Sequence, residues 1–257
     1  MKEAPLIGWP LVDLRRAPDG PRDRQLLMGE AVEIAPPSSS GLTRGSPGWV
    51  AVRALRDGYS GYIPEAALTT GTVTHRVCAR ATHAYSAPDF KSPERLSLSH
   101  GARLEVLSQE GRFAGTPQGY VPRAHLIPVA EPEADPVSVA EIFLGTPYLW
   151  GGNSAFGIDC SGLVQAGCLA CGLPCPGDSG DQEGALGETL PEDAPLRRGD
   201  LLFWRGHVAW VADPCTLIHA NVHHMAVAYE PIRAAIARID AQGDGPVTAR
   251  KRLKGLT

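Results

Sequence analysis

The chain has 257 residues, 43% of them apolar and 20% charged, with a formal net charge of -4 and a pI of ≈ 6.1. That length exceeds the ~100–200 residues of one ordinary domain, and the composition suits a globular protein with a real core. The mildly acidic balance argues against the basic stripe of a nucleic-acid binder, and no run approaches the ~18 apolar residues of a membrane span.

The N-terminus, Met1-Lys2-Glu3-Ala4-Pro5-Leu6-Ile7-Gly8-Trp9-Pro10, lacks the uninterrupted apolar stretch of about 7–15 residues that a secretory signal needs. A genuine start of this kind implies a cytoplasmic protein; a clipped start or leaderless export would give the same sequence. The six cysteines, at 78, 160, 168, 171, 175 and 215, then read as thiols. The cluster C-L-A-C-G-L-P-C at 168–175 invites a zinc site, but a second ligand pair at finger or ribbon spacing is missing. Cys168 and Cys171 fit better as small hydrophobes on a buried helix face.

The first half alternates short apolar runs with turn residues. Trp49 to Leu55 and Tyr59 to Pro64 flank Asp57-Gly58, a hairpin signal. Gly61-Tyr62-Ile63-Pro64-Glu65-Ala66-Ala67-Leu68 returns 58 residues later as Gly119-Tyr120-Val121-Pro122-Arg123-Ala124-His125-Leu126. A repeat at that spacing means two copies of one small domain, and short strands with frequent turns predict a small barrel for each. The G-Y-[IV]-P-x-A-x-L block resembles the end of bacterial SH3-like domains, which sets the copies at 10–70 and 75–128.

Pro128 to Pro136 is rich in Pro, Ala and acidic residues, and 129–136 is expected to be a linker. Asp135 is placed to cap a helix with Pro136 in its first turn, running through Leu144 and stopping near Gly145-Thr146-Pro147. The texture then becomes α+β over 137–250. Ser161 to Cys171 has helical spacing and ends at Gly172. After a long loop come four strand-like runs, at 200–204, 207–211, 216–220 and 225–229, joined by short turns that predict an antiparallel sheet. Asp200 reads as a turn residue entering a strand, Trp150 as packing beside Gly151-Gly152, and the basic stretch 250–254 as a solvated end.

Chemistry concentrates in Tyr148-Leu149-Trp150-Gly151-Gly152 and Asp159-Cys160-Ser161-Gly162. Cys160 falls where a loop becomes a helix. Unpaired N–H groups and the positive end of the helix dipole favour a thiolate there and could hold an oxyanion. The alternative is that Asp159 merely caps the helix and Cys160 is a buried thiol. His207 lies 47 residues on and His219 12 residues further. Adjacent antiparallel strands can bring two such side chains together, completing a nucleophile, a base and a residue that orients the base. His223 and His224 sit in a turn-like stretch and face solvent in this reading.

Together P-Y-L-W-G-G at 147–152, D-C-S-G at 159–162, R-G-D-L-L-F-W at 198–204, H-V at 207–208 and I-H-A at 218–220 resemble the NlpC-type, papain-like cysteine peptidases that cut bacterial cell-wall peptides. With the SH3-like copies in front, the chain is similar to the subset that cleaves between γ-D-glutamate and a diamino acid in murein peptides with a free N-terminal L-Ala. The resemblance implies Cys160 as nucleophile, His207 as base and His219 as third residue. It implies Tyr148 lining the site, Ser161 within the D-C-S-G motif on the substrate side, and Asp178-Ser179 binding the substrate's amine. Tyr59, with Tyr62 as rival, would match a tyrosine lent by the first SH3-like domain. An Asp at 178 suits that role, because a free α-amino group is a cation at neutral pH. No metal or organic cofactor and no nucleic-acid or membrane partner is implied. The implied setting is recycling of imported murein peptides. The alternatives are an amidase or acyltransferase on the same triad, or a wall-binding protein without turnover.

Overall fold

The computed structural model describes residues 4–35 and 47–254. Met1-Lys2-Glu3 and the part of the expected first copy at 36–46 lie outside the described residues. The chain divides into two compact units, Met1–Glu131 and Pro132–Thr257.

In the N-terminal unit the sequence repeat is a repeat of structure. Ser60–Pro64 and Gly119–Pro122 are both inner strands of five-stranded antiparallel sheets. The first lies between Leu11–Arg15 and Trp49–Ala54, the second between Ala81–Tyr85 and Phe113–Thr116. Each leads into a 3-10 turn, Glu65–Ala67 or Arg123–His125, and then a short strand, Leu68–Thr69 or Leu126–Pro128, in a separate small sheet. The repeated aliphatic position, Ile63 or Val121, is fully buried in its own core. Gly58, at φ 79°, makes the tight turn of the expected hairpin. The barrel expectation reduces to this sheet pairing, since among the described residues neither large sheet closes on itself. The copies are joined by backbone: Arg103 N–H donates to Met28 O at 2.8 Å, and the Met28 side chain enters the second core. Gly29, at φ 76°, permits that approach, because a Cβ there would strike the Arg103 carbonyl.

The C-terminal unit begins with α1 (Pro136–Ile142), capped by Asp135, whose carboxylate accepts from Val137 and Ser138 N–H. Helix α2 (Cys160–Ala170) is capped by Asp159 and closes at Gly172, φ 73°. The long loop that follows contains α3 (Ser179–Ala185), which its glycines hide from a periodicity search. The sheet comprises β1 (Glu188–Thr189), β2 (Asp200–Trp204), β3 (His207–Asp213), β4 (Thr216–Asn221), β5 (Ala226–Pro231) and β6 (Ala249–Arg252), with α4 (Ile232–Ala241) between the last two. Its order is β1-β6-β2-β3-β4-β5, antiparallel throughout.

One face of this sheet, with Leu201, Phe203, Val208, Trp210 and Ile218, packs with Leu163, Val164 and Cys168 of α2. The other, with Leu202, Trp204, Ala209 and Leu217, packs against Ile232, Ala235 and Ile239 of α4. Cys168 and Cys175 are buried in the first cluster and Cys171 is half-buried at the helix end, all as thiols. Among the described residues no helix is long and apolar enough to cross a membrane.

Two sequence expectations fail here. The basic stretch at 250–254 is not a solvated end: β6 is an inner strand, and its Arg252 grips Asp200 with two bonds of 2.7 Å. Long stems let half-buried basic residues join a sheet while their charges reach partners. The unit therefore extends past the boundary expected at 250. Trp150, expected to pack, is 66% exposed.

The start of α2 is seated on the Gly151-Gly152 turn. A Cβ at Gly162 would lie 2.5 Å from the Gly152 carbonyl oxygen and 3.0 Å from Asp159 Oδ1. We expect Gly162→Ala to destabilise the protein by about 1–3 kcal/mol through overpacking. Gly184→Ala in α3, where the added methyl meets nothing within 4 Å, should be neutral or stabilising by up to ~1 kcal/mol. Thermal melts of the two variants compare them directly.

Candidate active site

Cys160 is the first residue of α2 and nearly buried. Asp159 does cap the helix: its Oδ1 accepts from Gly162 N–H at 2.6 Å and its Oδ2 from Gly151 N–H at 2.9 Å. The cap does not exclude chemistry. It ties the helix start to the Tyr148–Gly152 segment and so holds the thiol in place. Cys160 Sγ lies 4.0 Å from the carbonyl oxygen of Gly206, the residue before His207.

The two histidines meet across β3 and β4, with His207 Nε2 and His219 Nδ1 2.9 Å apart. His219 is fully buried, and its Nε2 is 3.0 Å from Glu230 Oε2 on β5. Glu230 is held in turn by Arg238 of α4, through Nε to Oε1 at 2.8 Å and Nη2 to Oε2 at 2.7 Å. A sequence-level search found the histidines and missed Glu230 and Arg238. Their eight-residue spacing, one on a strand and one on a helix, carries no motif.

This chain of bonds assigns every proton in it. An ionised carboxylate only accepts, so His219 carries its proton on Nε2. Its Nδ1 then has a lone pair and must accept, so His207 carries its proton on Nε2. His207 Nδ1 is left unprotonated, a free base. Burial would raise the Glu230 carboxyl, but hydrogen bonds from Arg238 and His219 outweigh it and hold the group well below its ordinary range. His207 is pushed down to about 3, first by burial and then by the charges of His219 and Arg238. His219 is lowered too, chiefly by burial. Both rings are therefore neutral at pH 7.

Tyr148 is half-buried beside the thiol. Burial first, then the negative charges of Cys160 and Asp159, raise its phenol above the ordinary value, so it stays a hydrogen-bond donor. Ser161 is buried, with its hydroxyl donating to Asp159 Oδ1 at 3.2 Å. Asp178 precedes α3 as its N-cap residue without a side-chain capping bond, and Ser179 opens the helix. Helix α3 is clamped to α2 by buried Gln182, whose Nε2 donates to Ser161 O at 2.9 Å. The structure thus unites Cys160, His207, His219 and Tyr148, and ties the Asp178-Ser179 turn to the same helix start. Tyr59 belongs to the N-terminal unit, where its ring packs on the core and lies 6.0 Å from the Arg24 guanidinium; Tyr62 is buried in that unit. His223 and His224 are exposed, as expected.

The NlpC/P60 family model matches residues 145–239, and the bacterial dipeptidyl-peptidase SH3 domain model matches 14–68. The chain carries an NlpC/P60 domain. It is similar to the gamma-D-glutamyl-L-lysine dipeptidyl-peptidase of Bacillus subtilis (strain 168), 41% identical over 33% of this chain and 29% of that protein. The enzyme of the same name from Bacillus cereus (strain ATCC 10987) is 30% identical over 54% of this chain and 41% of its own length. The chain thus spans well under half the length of these curated relatives. A solved NlpC/P60 family structure from Bacillus cereus covers 98% of this chain and 99% of its own, with a TM-score of 0.78 and 22% identity, which shows a shared fold.

The neutral imidazoles of the NlpC/P60 domain make its stability depend on pH. Between about pH 6.5 and pH 3 an unfolded chain protonates at His207 while the folded chain does not. Unfolding then takes up a proton, so stability falls as pH falls through that window. Urea unfolding should show a midpoint that drops from pH 7 to pH 4, and His207→Gln should make that drop shallower.

Proposed function

We propose that the chain is a cysteine endopeptidase that hydrolyses the γ-D-glutamyl to diamino acid bond of murein peptides bearing a free N-terminal L-Ala. The observation that carries the chemistry is the chain Arg238–Glu230–His219–His207, which leaves a neutral imidazole with a free Nδ1 next to the turn that touches Cys160. The γ-D-glutamyl to diamino acid bond is supported by the relatives' names, and the free amine by the carboxylate of Asp178.

In this mechanism His207 Nδ1 takes the proton of the Cys160 thiol, and the sulfur attacks the γ-glutamyl carbonyl carbon. The positive end of α2, where Cys160 is the first residue, and the Tyr148 hydroxyl stabilise the oxyanion. The C–N bond breaks as the His207 imidazolium gives its proton to the leaving amine. Water then attacks the thioester, losing its proton to His207, and the thiol is regenerated. The imidazolium is costly in this buried site, so the transferred proton does not rest on His207. Its displaced pKa favours passing the proton on to the amine.

Asp178, ahead of α3, supplies a carboxylate for the ammonium of the N-terminal L-Ala, and Ser179 adds a hydroxyl. A peptide whose amine is acylated loses that charge. Selection for the free amine favours a peptide already cut from its sugar, which is the substrate of the recycling role proposed here.

Mass spectrometry of L-Ala-γ-D-Glu-diaminopimelate, free and N-acetylated, tests both parts. The wild type should release L-Ala-γ-D-Glu from the free peptide, with kcat/KM lower by about tenfold to a hundredfold on the acetylated one. Cys160→Ala should abolish turnover. Full cleavage by Cys160→Ala refutes the nucleophile, and equal cleavage of the two peptides by the wild type refutes amine recognition.

A further inference from the structure

A cavity of about 170 Å³ opens beside His207 within the C-terminal unit. Tyr148, Trp150, Arg205, His207, Arg238 and Asp244 are among its walls. Cys160, Ser161, Asp178 and Ser179 are not. The cavity therefore excludes the nucleophile and the pair assigned to the substrate's amine, yet shares Tyr148 and the base with them.

The walls have a definite charge pattern. Arg238 is committed to Glu230 and also donates to Gln242 Oε1 at 3.0 Å. Arg205, in the β2–β3 turn, is exposed and makes no hydrogen bond or ion pair among the described residues. Asp244, in the turn after α4, is exposed between Gly243 and Gly245, both at positive φ. Its carboxylate is near enough to raise Arg238. One uncommitted cation and one acid thus line the wall of a cavity whose remaining side includes the exposed face of Trp150.

Position adds the chemistry. The group that departs must take a proton from His207, so it leaves against His207 and into the space that His207 lines. We propose, resting on the peptidase reading above, that this cavity is the leaving-group subsite. Arg205 pairs with a carboxylate of the departing diamino acid and Asp244 with its side-chain ammonium. The site takes a zwitterionic amino acid at the cut end of the peptide, in preference to one whose carboxyl is blocked or whose side chain is uncharged.

The pairs are exposed enough that each is worth only a modest factor, enlarged by the partial enclosure of the cavity. Three peptides test them: L-Ala-γ-D-Glu-L-Lys, its C-terminal amide, and the analogue with norleucine in place of lysine. On wild type, kcat/KM should be roughly five- to tenfold higher for the acid than for the amide, and that ratio should shrink at high salt. Arg205→Gln should bring the acid-to-amide ratio to about one, and Asp244→Asn should do the same for lysine against norleucine. Equal cleavage of the three peptides by wild type overturns the subsite and leaves the peptidase intact.

If wild type cleaves none of them, the peptidase reading fails, and binding decides the subsite alone. Trp150 fluorescence of Cys160→Ala titrated with the acid and the amide peptides should give a Kd lower for the acid, with the difference erased by Arg205→Gln. Equal Kd values, or a difference that survives Arg205→Gln, overturn the proposal.

Discussion

One carboxylate decides what the two histidines of this protein can do. Glu230 accepts from His219, His219 accepts from His207, and the free nitrogen of His207 is the consequence. Remove the charge and neither ring has a preferred tautomer. Arg238 keeps the charge in place, since a buried carboxyl without a partner would take up a proton. The chain of bonds runs from α4 to His207, the residue after the Gly206 carbonyl that lies 4.0 Å from Cys160 Sγ, and each member is supplied by a different element. The site therefore exists only when β3, β4, β5 and α4 are all in register.

The register is what the sheet provides. Pairing of His219 with Ala228 and of Leu217 with Glu230 puts the histidine and the carboxylate on neighbouring strands within hydrogen-bond reach. A slip of one residue in β4 would turn His219 to the opposite face. The apolar residues alternating with His207 and His219 oppose such a slip, because Val208, Trp210, Ile218 and Ala220 are all buried against α2. Packing of the core and placement of the protons are thus one requirement, met by the same alternation. At the other end, Gly162 and Gly152 let the helix start close on the turn that carries Tyr148, and the Asp159 cap holds the two together.

Much of this was legible in the chain itself. Local signals carry through: Asp135-Pro136 starts a helix, Gly172 ends one, Asp57-Gly58 turns a hairpin, and the repeated G-Y-[IV]-P block takes the same place in two sheets. The Cys–His–His spacing pointed to histidines on adjacent strands, and they do meet. What stayed hidden has a physical reason in each case. The Glu230–Arg238 pair joins a strand to a helix, and ion pairs between elements leave no period. Helix α3 holds Gly180 and Gly184 and has no apolar stripe to reveal it. Arg250-Lys251-Arg252 has the composition of a solvated tail, but charge is not exposure: Arg252 is matched by buried Asp200 in the neighbouring strand. Trp150 looked like core because it is aromatic and flanked by glycines. Those glycines turn the chain so that the indole faces outward, into the rim of the cavity beside His207.

Nitrogen-15 NMR of the histidine rings at pH 7 tests the proton chain most directly. Each ring nitrogen reports by its shift and one-bond coupling whether it bears a proton. We expect both His207 and His219 to be neutral with the proton on Nε2, and the His219 signal to change in Glu230→Gln, where the carboxamide no longer demands a donor. A proton on His207 Nδ1, or an imidazolium at either position at neutral pH, would contradict the relay and remove the base on which the proposed chemistry depends.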